Sequence, residues 1–178
     1  LADFLDAIRV EETGATFAEN AALKATEQAR HLGRWVLADD SGLAVDALGG
    51  DPGVASARFS GPGATDATNN RLLLEKLAAT PLEQRTARFV CRMALADPSG
   101  TIRAESEGAC RGRMLFEPRG EQGFGYDPLF EVVEYHRTFA EVGIAVKSCL
   151  SHRARAGRLL IPALTTLLDS GKWSWRST

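Results

Sequence analysis

Two adjacent carboxylates, Asp39 and Asp40, carry the clearest chemical signal in this sequence. They follow the apolar run 35–38, which predicts a buried strand, and they precede Ser41 and Gly42, which predict a loop at its end. A buried charge needs an oppositely charged partner or a metal ion. A divalent cation bound to a phosphorylated substrate would explain the pair, whereas an Asx-turn is the alternative that folding alone explains.

A helix upstream carries a second set of polar side chains. Thr16 and Glu19 form a capping-box pattern, which predicts a helix over 17–31 in a stretch rich in strong helix formers. Asn20 and Lys24 lie four residues apart on that helix and therefore share one face. Because consecutive elements usually pack together, this face could point at the two aspartates. The alternative is a solvated helix face.

The segment 120–128 combines glycines with aromatic side chains. Glycines, among them Gly125, let a backbone approach a ligand closely, and Phe124 and Tyr126 offer flat faces on which a base can stack. Asp127 adds a hydrogen-bond acceptor. The glycine spacing differs from that of a dinucleotide fingerprint. A tight aromatic turn without a ligand is the alternative.

Cationic side chains cluster at the start of the last predicted helix, 151–168. Lys147 precedes this helix, and His152 and Arg153 lie in its first turn. The helix dipole disfavours positive charge at this end, and an anionic or carbonyl-rich ligand would reverse that penalty. An ordinary capped helix start with solvated charges is the alternative.

The elements that must position these residues alternate between helix and strand patterns. Helices are predicted over 17–31, 66–79 and 151–168; strands are predicted over 34–39, 86–96, 101–111, 114–116 and 129–133. Either Thr65 or Asp66 can cap the second helix. This order predicts an α/β class with a mixed central sheet flanked by helices.

Composition narrows the class of protein. The chain has 178 residues and a net charge of −2, so it shows no basic surplus for general nucleic-acid binding. No apolar run approaches the roughly 20 residues that span a bilayer. Three cysteines without CxxC spacing argue against a zinc site or a disulfide framework. We expect a single domain over 1–178, located in the cytoplasm, without nucleic-acid or membrane partners.

Together, these segments resemble the inosine triphosphate pyrophosphatase family, whose members hydrolyse noncanonical purine nucleoside triphosphates. The resemblance runs in order over residues 11–160. The matching stretches are 11–21 with Lys24, 37–43, 47–54 with Ser56-Ala57-Arg58, 118–120, 123–128 and 151–153. It implies an elongated, two-lobed fold with a cleft between the lobes, and a homodimer.

The resemblance also implies a reaction. ITP, dITP or XTP would be hydrolysed to the monophosphate and pyrophosphate, with Mg²⁺ as cofactor and Mn²⁺ as an alternative metal. Glu12 and Asp40 would hold the metal, since Mg²⁺ prefers oxygen ligands. Asp40, assisted by Asp39, would orient or deprotonate the water that attacks the α-phosphorus. Lys24 and Lys147 would contact phosphates.

A purine pocket follows from the same resemblance. Phe124 would stack on the base, and Asp127 would accept a hydrogen bond from a ring N–H. His152 and Arg153 would donate to the 6-oxo group, where adenine instead carries an amino donor, so that buried donors would be left unpaired. The remaining residues assigned to substrate binding are Asn20, Ser41, Gly125, Tyr126 and Lys147.

One family feature has no counterpart in this chain. The family's N-terminal strand and its Ser/Thr-x-Asn-x-x-Lys phosphate loop do not occur here, so we expect either a fragment or a protein with a reduced phosphate grip. Two alternatives to the purine pyrophosphatase stay open. One is a Maf-like pyrophosphatase acting on modified pyrimidine triphosphates, and the other is an inactive nucleotide-binding remnant.

Overall fold

A computed structural model of the protein describes residues 6–171 and residue 173. The α-helices are α1 (Phe17–Leu32), α2 (Asp66–Lys76), α3 (Phe139–Leu150) and α4 (His152–Asp169). The strands are β1 (Val36–Val45), β2 (Thr86–Ala96), β3 (Ile102–Met114), β4 (Phe130–Val132) and β5 (Arg137–Thr138). Short 3-10 helices cover Asp46–Leu48, Gly53–Arg58, Leu82–Gln84 and Val133–Tyr135. The predicted fold class, an α/β fold with a central sheet flanked by helices, is confirmed.

The five strands form one sheet in the order β1-β2-β3-β4-β5, and each of these pairings is antiparallel. The predicted hairpin is confirmed as β2 and β3, which meet at the turn 97–101. In the described part of the chain, β1 is an edge strand of this sheet. The division of the chain into two lobes stays a prediction.

The prediction that the aspartates end their strand is wrong, because β1 continues to Val45. Asp39 pairs with Met93 and Asp40 with Arg92, in mid-strand. Gly42 does not break the strand. A Cβ at Gly42 would lie 2.5 Å from Ser56 Oγ and 2.8 Å from Phe17 Cε1, so glycine is required there by close packing. Since successive strand residues point to opposite faces, Asp39 and Asp40 diverge.

Helix α1 forms where its capping box predicts it. The Glu19 N–H donates to Thr16 Oγ1 at 3.2 Å, and the Thr16 N–H donates to Glu19 Oε2 at 3.1 Å. The helix buries its alanines against small residues of β1 and β2. The cluster comprises Ala21, Ala25, Ala29, Val36, Ala94 and Ala96. Small side chains on both surfaces let the helix lie close to this face of the sheet.

Helix α4 packs on the opposite face, against β2 and β3. Leu160 of α4 contacts Leu95 and Ala104, and Ser106 Oγ donates to the Ala156 carbonyl at 2.9 Å. The predicted helix 151–168 is thereby confirmed, with Ser151 as its N-cap. A larger core cluster fills the same face further along the sheet. It includes Leu43, Val45, Leu73, Leu77, Phe89, Met114, Leu129, Phe130 and Phe139.

Helix α3 was not predicted from the sequence. Lys147 therefore lies inside a helix and not in a loop before α4. Gly143, with φ 80° and ψ 165°, interrupts α3 and breaks the apolar periodicity that would have indicated a helix. Within the described residues, no helix combines the length and the apolar character needed to cross a bilayer.

Asp97, in the turn between β2 and β3, is expected to make the stability of the fold depend on pH. Burial acts to raise the pKa of Asp97, but hydrogen bonds from Ser99, Arg103 and the Thr101 N–H outweigh it and lower the pKa to about 2. The carboxylate therefore stabilises the fold above the unfolded-state pKa of about 4, and this contribution, at most about 2 kcal/mol, is lost as pH falls towards 2.

Urea unfolding of the wild type and of Asp97→Asn, at about pH 6, 4 and 2.5, measures the free energy of unfolding of both proteins. The difference in free energy of unfolding between the two proteins should be largest at pH 6 and should shrink as the pH falls. A difference that stays constant over this range would contradict the assignment to Asp97.

Candidate functional site

Four predicted site residues meet on the α1 face of the sheet and form what we call the acidic cluster: Glu12, Asn20, Lys24 and Asp40. Lys24 Nζ lies 2.8 Å from Asp40 Oδ1 and 3.1 Å from Glu12 Oε1. Asn20, which is fully buried, donates from Nδ2 to Asp40 Oδ2 at 3.3 Å. Its Oδ1 accepts from the Gly14 N–H at 2.8 Å, which ties the loop carrying Glu12 to the helix.

The charges and the burial of the acidic cluster shift the pKa values of Asp40 and Lys24. Burial raises the pKa of Asp40 above its ordinary value, and the charge on Glu12 adds to this, although Lys24 opposes it. Burial works to lower the pKa of Lys24, yet its contacts with Asp40 and Glu12 raise it. The carboxylates of Glu12 and Asp40 thus share the ammonium group of Lys24, and Glu12 also lies 3.8 Å from the half-exposed guanidinium of Arg58.

The donor set fits a metal that is only partly held by protein. Among the described residues, no group of three or more His, Cys, Asp or Glu side chains is placed to hold a metal ion. Mg²⁺ commonly takes one or two carboxylates and completes its shell with waters and substrate phosphates. Glu12 and Asp40, joined through Lys24, supply that pair of oxygen donors.

Arg58 is a candidate functional residue that the sequence did not single out. Its Nη1 lies 3.8 Å from Glu12 Oε2, and its side chain is half exposed at the end of the 3-10 helix Gly53–Arg58. The stretch Ser56-Ala57-Arg58 is part of the family resemblance, but no spacing rule in the sequence links Arg58 to Glu12. A second cation beside the acidic cluster suits a polyanionic ligand.

A second group lies on the α4 face and forms what we call the cationic pocket, an open pocket of about 600 Å³. It is lined by Gly123, Phe124, Ile144, Lys147, Ser148, Ser151, His152, Arg153 and Ala154. The Phe124 side chain is 66% exposed. Lys147 Nζ lies 4.3 Å from the centroid of the Phe124 ring and pairs with Asp127, which is buried and also accepts from the Phe124 N–H at 3.0 Å.

His152 is buried at the inner side of this pocket. Its ring stacks on Phe89 with centroids 5.0 Å apart. Burial, together with the charges of Arg153 and Lys147, lowers the pKa of His152 to about 3. The imidazole is therefore neutral at pH 7 and has a single N–H to donate. Among the described residues, its Nδ1 has no hydrogen-bond partner.

Asp39 lies on the α4 face, where it pairs with Arg153 of the cationic pocket, and is not part of the acidic cluster. Arg153 donates to Asp39 Oδ2 from Nη2 at 2.8 Å and from Nε at 3.1 Å, and its Nη2 lies 3.2 Å from Ser41 Oγ. Ser41 Oγ also donates to Asp39 at 2.8 Å. Burial acts to raise the pKa of Asp39, but these donors lower it. Asp39 is thus an ionised partner that orients Arg153.

The predicted residues therefore form two groups on opposite faces of β1. The groups meet at the peptide between Asp39 and Asp40, on an edge strand of the described sheet. Tyr126 is buried, and its hydroxyl donates to the Ser56 carbonyl at 2.9 Å. Gly125 is held by side chains of α2. These two residues shape the turn and do not line the cationic pocket.

Known proteins are similar to this chain in sequence, and a solved structure is similar to it in fold. A protein of Rhodopirellula baltica named dITP/XTP pyrophosphatase is 53% identical over 174 residues, which cover 98% of this chain and 84% of that protein. A protein of Exiguobacterium sibiricum with the same name is 53% identical over 171 residues, covering 94% and 84%. The structure of a HAM1 protein from Coxiella burnetii matches with a TM-score of 0.84 at 42% identity, covering 90% of this chain and 82% of that one.

A sequence model described as the Ham1 family matches residues 1–163, which is most of the chain. The match spans both the acidic cluster and the cationic pocket. Since the relatives are also well above 30% identical over nearly the whole of this chain, the chain belongs to the Ham1 family.

Proposed function

We propose that the protein hydrolyses noncanonical purine nucleoside triphosphates, dITP, ITP and XTP, to the monophosphate and pyrophosphate. The observation that carries the proposal is the junction at Asp39 and Asp40. Asp40 belongs to the acidic cluster, which suits a metal and phosphates. Its neighbour Asp39 orients Arg153 in the cationic pocket, which suits a base. Because Asp39 and Asp40 are adjacent in β1, we place the triphosphate beside Asp40 and the base beside Arg153, the partner of Asp39.

At the triphosphate end, the side chains supply positive charge, a general base and oxygen donors for a metal. Lys24 and Arg58 offer positive charge to phosphate oxygens. Asp40 orients the attacking water and accepts its proton as the oxygen bonds to the α-phosphorus, while the bond to the bridging oxygen breaks and pyrophosphate leaves. A divalent cation held by Glu12 and Asp40, Mg²⁺ or alternatively Mn²⁺, would neutralise charge on the phosphates. This chemistry consists mainly of positioning and electrostatics.

At the base end, the side chains favour a 6-oxopurine. The exposed Phe124 ring provides a stacking surface, and Lys147 holds Asp127 beside it. Neutral His152 and the guanidinium of Arg153 can donate to a 6-oxo group. An adenine 6-amino group would face these donors with another donor, and each unpaired buried group costs about 1–3 kcal/mol.

The names of the relatives support the purine substrate and favour it over a modified pyrimidine. The three cysteines, Cys91, Cys110 and Cys149, are free thiols, which suits a reducing compartment such as the cytoplasm. The homodimer implied by the resemblance is retained as part of the proposal.

A pyrophosphate-release assay tests the function. With Mg²⁺ present, kcat/KM for dITP and XTP should exceed that for dATP by about 10²-fold or more, because the adenine 6-amino group would face His152 and Arg153 with a further donor. It should also exceed that for dUTP, because a pyrimidine is smaller than the purine that we place on Phe124. Omission of the metal should abolish turnover. Equal turnover of all four nucleotides, or binding of dITP without pyrophosphate release, would overturn the proposal.

A further inference from the structure

The exposed Phe124 ring raises the question of what orients it. With 66% of the residue exposed, the ring has little packing apart from its contact with Lys147, so its direction also depends on the backbone of the turn, where the Phe124 N–H donates to Asp127. Gly123 and Gly125 flank it with φ values of 85° and 60°. Glycine adopts such conformations without steric cost but also leaves them easily. A turn of this kind keeps one shape only if other parts of the protein anchor it.

Two side chains of α2 supply that anchor. Asp66 Oδ2 accepts from the Gly125 N–H at 2.6 Å, and Asn70 Nδ2 donates to the Gly125 carbonyl at 2.9 Å. The two residues lie four apart on α2 and therefore share a face. Gly125 directly follows Phe124 in the chain, and both its N–H and its carbonyl are thereby bonded to α2.

The cap of α2 uses neither side chain, although a carboxylate such as Asp66 is favourable in the first turn of a helix. Thr65 caps the helix in a capping box with Thr68, which leaves the Asp66 carboxylate free to reach the turn. Asn70 Oδ1 is buried and, in the described residues, has no hydrogen-bond partner. A buried unpaired acceptor costs about 1–3 kcal/mol. Asn70 thus donates from Nδ2 to Gly125, while its unpaired Oδ1 lowers the stability of the fold.

We infer that Asp66 and Asn70 are positioning residues for purine recognition, which hold the Gly123–Asp127 turn so that Phe124 faces the base. The expected change in KM rests on the proposed function, since it requires turnover of a purine nucleotide. The physical anchoring is independent of any substrate. Because the two bonds restrain the turn and touch no reacting atom, their loss affects base binding and leaves the chemical step unchanged.

Kinetics with dITP and hydrogen exchange of the segment 120–127 test this inference. In Asn70→Asp, a carboxylate replaces the donor and faces the Gly125 carbonyl, so KM should rise about tenfold with kcat within twofold. Asp66→Ala should raise KM about fivefold, whereas Asp66→Asn keeps an acceptor and should stay close to the wild type. Exchange of the Gly125 amide should be faster in Asn70→Asp and Asp66→Ala.

Arg71→Ala is the matched control, since Arg71 lies on the same helix with a side chain 73% exposed. It should leave both KM and exchange unchanged. If Asn70→Asp and Asp66→Ala match this control in KM and in exchange, the inference is overturned. If the wild type shows no turnover of dITP, the proposed function fails, and the exchange of the Gly125 amide still decides whether α2 anchors the turn.

Discussion

Asp40→Asn is expected to lower kcat for dITP by about 10²–10⁴-fold, the range that loss of a general base produces. Asparagine has the same shape and keeps an acceptor for Lys24, but it cannot take a proton. Its neutral side chain also removes half of the carboxylate pair that suits a divalent cation. Steady-state kinetics with saturating dITP measures the change, and the urea midpoint should confirm that the variant is folded.

Asp39→Asn is the matched comparison for Asp40→Asn, because the two carboxylates are adjacent but point to opposite faces of β1. Asp39 pairs with Arg153 in the cationic pocket, so its loss should raise KM more than it lowers kcat. If Asp40→Asn keeps more than a tenth of wild-type kcat, or if both variants lose kcat equally, the division of roles between the two aspartates is wrong.

Gly108→Ala is expected to destabilise the fold by about 2 kcal/mol or more and to weaken base binding. A Cβ at Gly108 of β3 would overlap the main chain of α4 at His152 and Ala156. Backbone atoms cannot move aside as a flexible side chain can, so the first turn of α4 must shift. That turn carries His152 and Arg153, and KM for dITP should therefore rise together with the loss of stability.

Gly157→Ala serves as the control on the same helix. A Cβ at Gly157 would meet no atom within 4 Å, and alanine is the better helix former by roughly 1 kcal/mol. This variant should therefore be slightly more stable than the wild type, with unchanged KM. Urea unfolding measures the free energy of unfolding of Gly108→Ala and of Gly157→Ala against that of the wild type. Equal stability of Gly108→Ala and wild type would show that α4 does not depend on close contact with β3.

The sequence predicted those elements whose signals are local. Helix α1 follows from Thr16 and Glu19, three residues apart, and the hairpin follows from the turn at 97–100 between two strand patterns. The start of α4 was also predicted. In each case, neighbours along the chain supply the hydrogen bonds or the fixed φ that defines the boundary.

Glycine caused two of the errors of element assignment. Gly42 was interpreted as the end of a strand, yet the tight contacts of Ser56 and Phe17 with β1 are what require it. Gly143 interrupts α3 and concealed its helical periodicity. A glycine in a sequence can indicate a turn, a kink or a close approach, and only the neighbours that lie beside it in space distinguish these.

The residue types of the candidate site were readable from motifs, but their partners were not. Adjacency in the chain suggested that Asp39 and Asp40 act as a pair, whereas strand pleating gives one to Arg153 and the other to Lys24. The contacts of Arg58 with Glu12 and of Asn70 with Gly125 join residues 46 and 55 positions apart. Chemical character is local to each side chain, while such contacts arise only when packing brings distant segments together.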